Sequence, residues 1–136
     1  MIKRIIAVVF GVLVAIGVIF ILEAAGHLLY PTPQGLALDD PQKLKEAIAA
    51  LPLPEFIIVL AAWMAGAFLG SFGALFFARS SQIWVGGIVT LFVFVAAVSN
   101  FFFVAYPIWF EIAAVLGIPL ASWLAWKMYR ARQPDA

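Results

Sequence analysis

Long apolar runs, separated by shorter polar segments, make up most of the chain. A helix that crosses a bilayer needs about 20 mostly apolar residues. Four stretches reach that length and predict transmembrane helices over residues 5–30, 55–78, 82–106 and 107–130. We therefore predict an all-α fold: a single transmembrane domain over residues 1–136, built as an integral membrane four-helix bundle.

The connection between the first two spans is the only long polar stretch. It opens with a proline-rich turn at residues 31–35, after which Asp39 or Asp40 can cap a helix that has Pro41 at its first position. Apolar residues then recur at helical spacing at Leu44, Ile48 and Leu51. This pattern predicts a short amphipathic helix over residues 40–51 that shields the outer end of the bundle. A gate or a docking surface is the alternative interpretation.

Composition supports the membrane assignment. Hydrophobic residues make up 66% of the chain and charged residues 11%, with a mean hydropathy of +1.12. A typical soluble domain is about 25% charged, so these charges are too few to cover a water-exposed surface. The net charge of +1 gives no argument for a nucleic-acid partner, and the absence of cysteine excludes disulfides and thiolate metal sites.

Basic residues are divided unevenly between the two sides of the predicted bundle. Two lie in the first connection, and the other six lie at the opposite ends of the spans: Lys3, Arg4, Arg79, Lys127, Arg130 and Arg132. Because cytoplasmic ends collect Lys and Arg, both termini are predicted to be cytoplasmic. A cleaved signal peptide over residues 1–25 is the alternative. Its apolar stretch would exceed the usual length, and Glu23 stands where a small residue is needed, so we favour an uncleaved anchor.

Small residues recur every four positions in two of the predicted spans. Gly66 and Gly70 form a GxxxG motif in the second span, and Gly11 lies between Ala7 and Ala15 in the first. Helices in a bilayer associate by close packing, which small residues permit. We expect these two faces to meet within the chain, with a dimer interface as the alternative.

Polar side chains within the spans concentrate near the outer end. Glu23, His27 and Tyr30 are spaced i, i+4 and i+7 and so share one helix face. A helix rises about 1.5 Å per residue, which places three more side chains at a similar depth: Asn100, Trp109 and Glu111. We predict that these six residues form a polar cluster contributed by three helices.

The cluster has two interpretations. The favoured one is a hydrogen-bonded network that joins helix ends through Glu23, His27, Asn100 and Tyr106. The other is a binding or proton-transfer site, because ionisable groups in a span are costly. One histidine and two glutamates match the ligand number of a catalytic zinc site, but no supporting residues accompany them. We therefore expect no metal, no cofactor and no catalytic residues.

Several elements resemble a family of small bacterial inner-membrane proteins. These are Gly26-His27 followed by Pro31-x-Pro33-x-Gly35, a small-residue second span, Asn100 late in the third span, and Pro107-x-Trp109-Phe110 at the start of the fourth. The resemblance covers nearly the whole chain. It implies four helices in a bacterial inner membrane, with the first connection in the periplasm and His27, Pro31, Pro33, Trp109 and Phe110 in a shared core pattern.

The expected function follows from the absence of evident catalytic residues in the sequence. We predict an accessory or scaffold protein that contacts membrane lipid and packs with itself, as a homo-oligomer, or with a larger membrane-protein complex. The alternative is binding or transport of a small amphiphile or lipid at the polar outer-leaflet site.

Overall fold

The computed structural model describes residues 1–29, 42, 46, 52–80, 82–103 and 106–133. Four helices lie in these ranges: α1 (Ile2–Leu29), α2 (Leu53–Ala78), α3 (Ile83–Phe103) and α4 (Ile108–Ala131). Each is long and apolar enough to cross a membrane. The predicted all-α membrane four-helix bundle is therefore confirmed, and the chain is a small multi-pass membrane protein.

The first connection lies mostly outside the described residues. The predicted helix over 40–51 is among the undescribed part, apart from Gln42 and Glu46, which are both helical. The Gln42 side-chain amide donates to Glu46 Oε1 at 3.4 Å, as helical spacing allows. Tyr30, which was expected to join the polar cluster, also lies outside the described residues.

Helix boundaries follow the local chemistry of proline and of one left-handed residue. Pro52 and Pro107 are the N-caps of α2 and α4, with extended backbones at φ −67° and −60°. The C-cap of α2 is Arg79, which adopts φ 49° and donates its backbone N–H to Phe76 O at 3.2 Å. This left-handed cap ends α2 and turns the chain toward α3.

The four helices pack as a closed bundle in which α2 and α3 contact each other and both remaining helices. Within the described residues, α1 and α4 do not contact each other, so they occupy opposite corners. Gly11 and Gly26 of α1 contact Gly70 and Ile58 of α2, and Ser71 and Trp63 of α2 contact Gly86 and Phe101 of α3. The numbers run in opposite directions in both pairs, so α2 is antiparallel to α1 and to α3. Consecutive helices therefore alternate in direction.

A glycine seam, formed by Gly11, Gly66 and Gly70, brings α1 and α2 into backbone contact. A Cβ atom added to Gly11 would lie 2.6 Å from Gly70 O, and one added to Gly70 would lie 2.7 Å from Gly11 O. A Cβ atom on Gly66 would approach Ala15 O to 3.0 Å. Only residues without a side chain permit this approach. The GxxxG face is thus covered by α1 of the same chain.

A serine link joins α2, α3 and α4 through buried hydroxyl groups. Ser71 Oγ lies 3.1 Å from Ser122 Oγ and 3.2 Å from Gly86 O, and its single proton serves one of these acceptors at a time. Thr90 donates to the same Gly86 carbonyl at 2.9 Å. Because a bilayer offers no water to polar groups, these hydroxyls bond within the protein: Ser71 bonds to neighbouring helices, and Thr90 bonds to a carbonyl of its own helix.

The alternating helices give the bundle two chemically different ends. The basic end carries the basic side chains at the first turn of α1, at the C-cap of α2 and around the end of α4. The acidic end carries Glu23 late in α1, Glu55 at the start of α2 and Glu111 at the start of α4. The described members of the predicted polar cluster belong to the acidic end or lie just inside it.

Candidate functional site

Glu23 forms the shortest side-chain hydrogen bond between described helices. Trp63 Nε1 donates to Glu23 Oε1 at 2.7 Å and so links α1 to α2. Trp63 itself is buried, with 4% of its surface exposed. A buried indole N–H needs an acceptor, and the carboxylate supplies one that is stronger than a neutral group. Glu23 therefore joins helices.

His27 lies beside a second glutamate that was not included in the predicted cluster. His27 Nδ1 is 3.9 Å from Glu55 Oε1, and the His27 side chain is 61% exposed while that of Glu55 is 6% exposed. Gly26 allows this approach, because a Cβ atom there would lie 2.8 Å from Ile58 Cγ2 of α2. Among the described residues, Glu55 Oε2 is buried and has no hydrogen-bond partner. The first turn of α2 places this acidic group where the helix dipole favours it.

An aromatic cluster fills the space between these glutamates and α4. Its members are Phe56 and Trp63 of α2, Phe101 of α3, Tyr106, and Trp109 and Phe110 of α4. Tyr106 and Phe110 stack with ring centroids 4.5 Å apart, and the Trp63 ring meets Phe110 edge-on at 5.3 Å. Such offset and edge-to-face pairs are the favoured geometries of aromatic rings. The cluster is packed core rather than an open cavity.

Tyr106 lies in the connection between α3 and α4, against this aromatic cluster. Burial raises the pKa of its phenol to about 12, and the nearby charge of Glu23 acts in the same direction. The predicted network placed Tyr106 in hydrogen bonds with Glu23 and His27. In the structure, Tyr106 contacts its neighbours through its ring, and the Glu23 bond goes to Trp63.

Asn100 does not join the other polar side chains. Its amide donates to Ala96 O of its own helix at 3.1 Å, and the residue is exposed. Among the described residues, the Asn100 side chain bonds within α3 and forms no hydrogen bond with α1. A network through Asn100 is therefore replaced by separate contacts, namely Glu23 with Trp63 and His27 with Glu55.

Glu111 lines an apolar groove between α3 and α4 of about 390 Å³, which we call the Glu111 groove. The other lining residues are Val98, Phe101, Ile112, Val115 and Leu116. Trp109 lies two residues before Glu111 and is half-exposed. Its ring is edge-on to that of Phe56, with the centroids 6.1 Å apart. Within the described residues, the Glu111 carboxylate receives no side-chain hydrogen bond, in contrast to that of Glu23.

Glu23 also faces a groove, which lies on the opposite flank of α3. This Glu23 groove, between α1 and α3, has a volume of about 300 Å³ and is lined by apolar residues such as Ile19, Phe20 and Phe92. Glu23 and Glu111 thus each adjoin an apolar groove at the surface of the bundle. No three potential metal ligands among the described residues are grouped closely enough to hold an ion.

Trp63 and Glu55 are the two residues of this site that sequence reasoning missed. Trp63 lies about 15 Å from the start of α2, away from both ends of the helix. An indole at that depth needs a hydrogen-bond acceptor, and this requirement could have pointed to Glu23. Glu55 is the first residue of the second predicted span and was not placed in the cluster, so its burial beside His27 was not foreseen.

Comparisons of the chain with protein-family models, with curated proteins and with solved structures give no match. The resemblance to a family of small bacterial inner-membrane proteins stays a prediction.

Proposed function

We propose that the protein binds a small amphiphile at the acidic end, with the apolar tail in the Glu111 groove and a cationic or hydrogen-bond-donating head on Glu111. The observation that carries this proposal is the pairing of one carboxylate with an otherwise apolar groove. Small-molecule sites are mostly apolar with few, well-placed polar groups. The ring of Phe101 adds an aromatic surface that favours a cation.

Glu111 is a better binding residue than Glu23. Trp63 already donates to Glu23, so a ligand at Glu23 would compete with a bond between two helices. Glu111 has no such bond among the described residues, and its groove is the larger of the two. Its position in the first turn of α4 lets the helix dipole stabilise the negative charge.

Equilibrium dialysis of labelled dodecyltrimethylammonium against the purified protein tests the proposal. Glu111→Gln removes the charge and keeps the shape, and we expect it to weaken binding by about tenfold, equivalent to 1.4 kcal/mol. Glu23→Gln is the matched control, because it makes the same change beside the other groove, and should leave binding within about twofold. Equal binding by Glu111→Gln and the unaltered protein would contradict the proposal.

The accessory or scaffold role stays a second candidate. Its support is α1, which buries only small residues and turns large apolar side chains such as Val9, Leu13 and Phe20 outward. In a bilayer, either lipid or another helix can cover such a face. Purification from the native membrane in a mild detergent should then retain a partner or a defined homo-oligomer, whereas a clean monomer would count against the role.

We further propose a bacterial inner-membrane location with both termini in the cytoplasm. The support is the basic end, which carries Lys3 and Arg4 as well as the basic side chains of the last turn of α4. Because the chain has no cysteine, single cysteines report topology cleanly. In intact cells, an impermeant maleimide should label Gln42→Cys and leave Gln133→Cys unlabelled. The reverse pattern would overturn the orientation.

A further inference from the structure

A third groove lies between α3 and α4 near the basic end. It has a volume of about 180 Å³ and contains Pro119, Trp123 and Trp126 of α4 opposite Gly87 and Thr90 of α3. We call it the Trp123 groove. It is remote from the Glu111 groove, which lies at the other end of the same helix pair.

Two cations lie over the aromatic rings that line this groove. Lys127 Nζ is 5.0 Å from the centroid of the Trp123 ring, and the Arg130 guanidinium carbon is 5.2 Å from that of Trp126. Both pairs follow the i, i+4 spacing of α4, so the two cations lie on one helix face. Cation–π contact holds each charge at the rim of the groove while leaving its N–H groups available.

The described charged side chains at this end are all basic. Arg79, at the end of α2, and Arg132, over the Phe72 ring at 5.6 Å, lie at the same level. The described glutamates within the bundle belong to the acidic end, so none of them neutralises these cations. Neither Lys127 nor Arg130 forms an ion pair within the described residues, and both are exposed.

We propose that the basic end binds one anionic phospholipid, with part of an acyl chain in the Trp123 groove and the headgroup phosphate on Lys127 and Arg130. Phosphate attracts guanidinium and ammonium groups strongly, and basic residues at a membrane surface select anionic lipids. An apolar groove that leads directly to two cations fits a lipid better than a soluble phosphate. The proposal is independent of amphiphile binding at Glu111.

Native mass spectrometry of the protein, released from micelles with equal amounts of phosphatidylglycerol and phosphatidylcholine, tests this site. We expect the unaltered protein to retain phosphatidylglycerol preferentially. Each cation near an anionic headgroup contributes about fivefold in affinity, so the double variant Lys127→Gln with Arg130→Gln should lose most of a roughly twentyfold preference. Both side chains are exposed, and helicity by circular dichroism should not change.

A matched control removes the same charge from the same end of the bundle. Lys3→Gln with Arg4→Gln changes two cations of α1, a helix that contributes no residue to the groove, and it should leave the preference intact. An equal loss in both double variants would show general surface electrostatics and overturn a defined site.

The acyl-chain part of the proposal has its own variant. Gly87 lines the groove, and a Cβ atom built there has no neighbour within 4 Å. Gly87→Leu should therefore fill the groove without disturbing the fold, and retention of phosphatidylglycerol should fall. Unchanged retention in this variant, or complete displacement of the lipid by inorganic phosphate, would overturn the assignment of a lipid.

Discussion

The glycine seam and the aromatic cluster are two contacts of the same helix, α2, made with the smallest and the largest side chains. At the seam, Gly11 and Gly70 bring two backbones together without any polar bond between side chains. In the aromatic cluster, Trp63 fills space with its ring and donates its N–H to Glu23. Since lipid tails are as apolar as the helices, both contacts depend on close fit. The glycine seam depends on the absence of side chains at Gly11 and Gly70, and the aromatic cluster depends on the hydrogen bond from Trp63 to Glu23.

The largest expected effect comes from a side chain added to the seam. In Gly11→Leu, the new Cβ would meet Gly70 O at 2.6 Å and Ala74 Cβ at 2.7 Å, and backbone cannot move aside as a flexible side chain can. Overpacking commonly costs about 1–3 kcal/mol, and we expect the upper part of that range. Unfolding in mixed micelles with increasing sodium dodecyl sulfate, followed by circular dichroism, measures the free energy of unfolding.

Gly17→Leu is the matched control for the seam. It is the same substitution in the same helix, but no atom lies within 4 Å of the added Cβ. We expect a change of less than about 1 kcal/mol, within the range of helix propensities. Equal loss of stability in Gly11→Leu and Gly17→Leu would mean that the close approach of α1 and α2 does not matter.

The next effect breaks the one polar bond beside the aromatic cluster. Trp63→Phe keeps an aromatic ring but removes the donor to Glu23, which leaves a carboxylate oxygen without its partner. A fully buried group left unpaired costs about 1–3 kcal/mol, and because Glu23 is only partly buried we expect a loss in the lower part of that range. The same substitution at Trp109, whose ring is half-exposed, should cost less than about 1 kcal/mol.

A double variant separates the hydrogen bond from ring packing. If the unpaired carboxylate causes the loss in Trp63→Phe, then adding Glu23→Leu should restore much of the stability, because removing both partners is nearly neutral. Thermal unfolding of the unaltered protein, the two single variants and the double variant completes a double-mutant cycle. Additive losses would assign the effect of Trp63→Phe to packing alone.

A smaller effect is expected at the serine link, which lies next to the seam on α2. Ser71→Ala removes the hydroxyl that lies between Gly86 O and Ser122 Oγ. Hydrogen bonds between membrane helices contribute on average about 0.6 kcal/mol, so the free energy of unfolding should fall by about that amount. Ser99→Ala is the control, because Ser99 donates only to Val95 O of its own helix and is exposed. A loss at Ser99 equal to that at Ser71 would remove the inter-helix explanation.

The two contacts also differ in how far they were predictable from sequence. The spacing of Gly66 and Gly70 identifies a helix face without knowledge of the other helices, and α1 lies against that face. The position of each side chain along its helix axis was also predictable, since the rise per residue of a helix is constant. The contact partners of Glu23 and His27 at the acidic end were not predictable from the sequence. Whether Glu23 meets Asn100 or Trp63 depends on the rotation of each helix about its own axis, which the packing of bulky rings determines.

The smallest effect concerns ionisation of Tyr106 rather than loss of a contact. Its phenol has a pKa of about 12, raised by burial and then by the charge of Glu23, so the neutral form is favoured in the folded protein. The contribution of the neutral Tyr106 phenol to the stability of the folded protein is therefore fully present below an ordinary tyrosine pKa of about 10. It is lost as the pH rises toward 12. In an alkaline titration followed by phenolate absorbance, the difference between the unaltered protein and Tyr106→Phe should appear late, near pH 12. After unfolding in sodium dodecyl sulfate, the same difference should move down to about pH 10. A component that already titrates near pH 10 in the folded protein would mean that the aromatic cluster admits water at Tyr106.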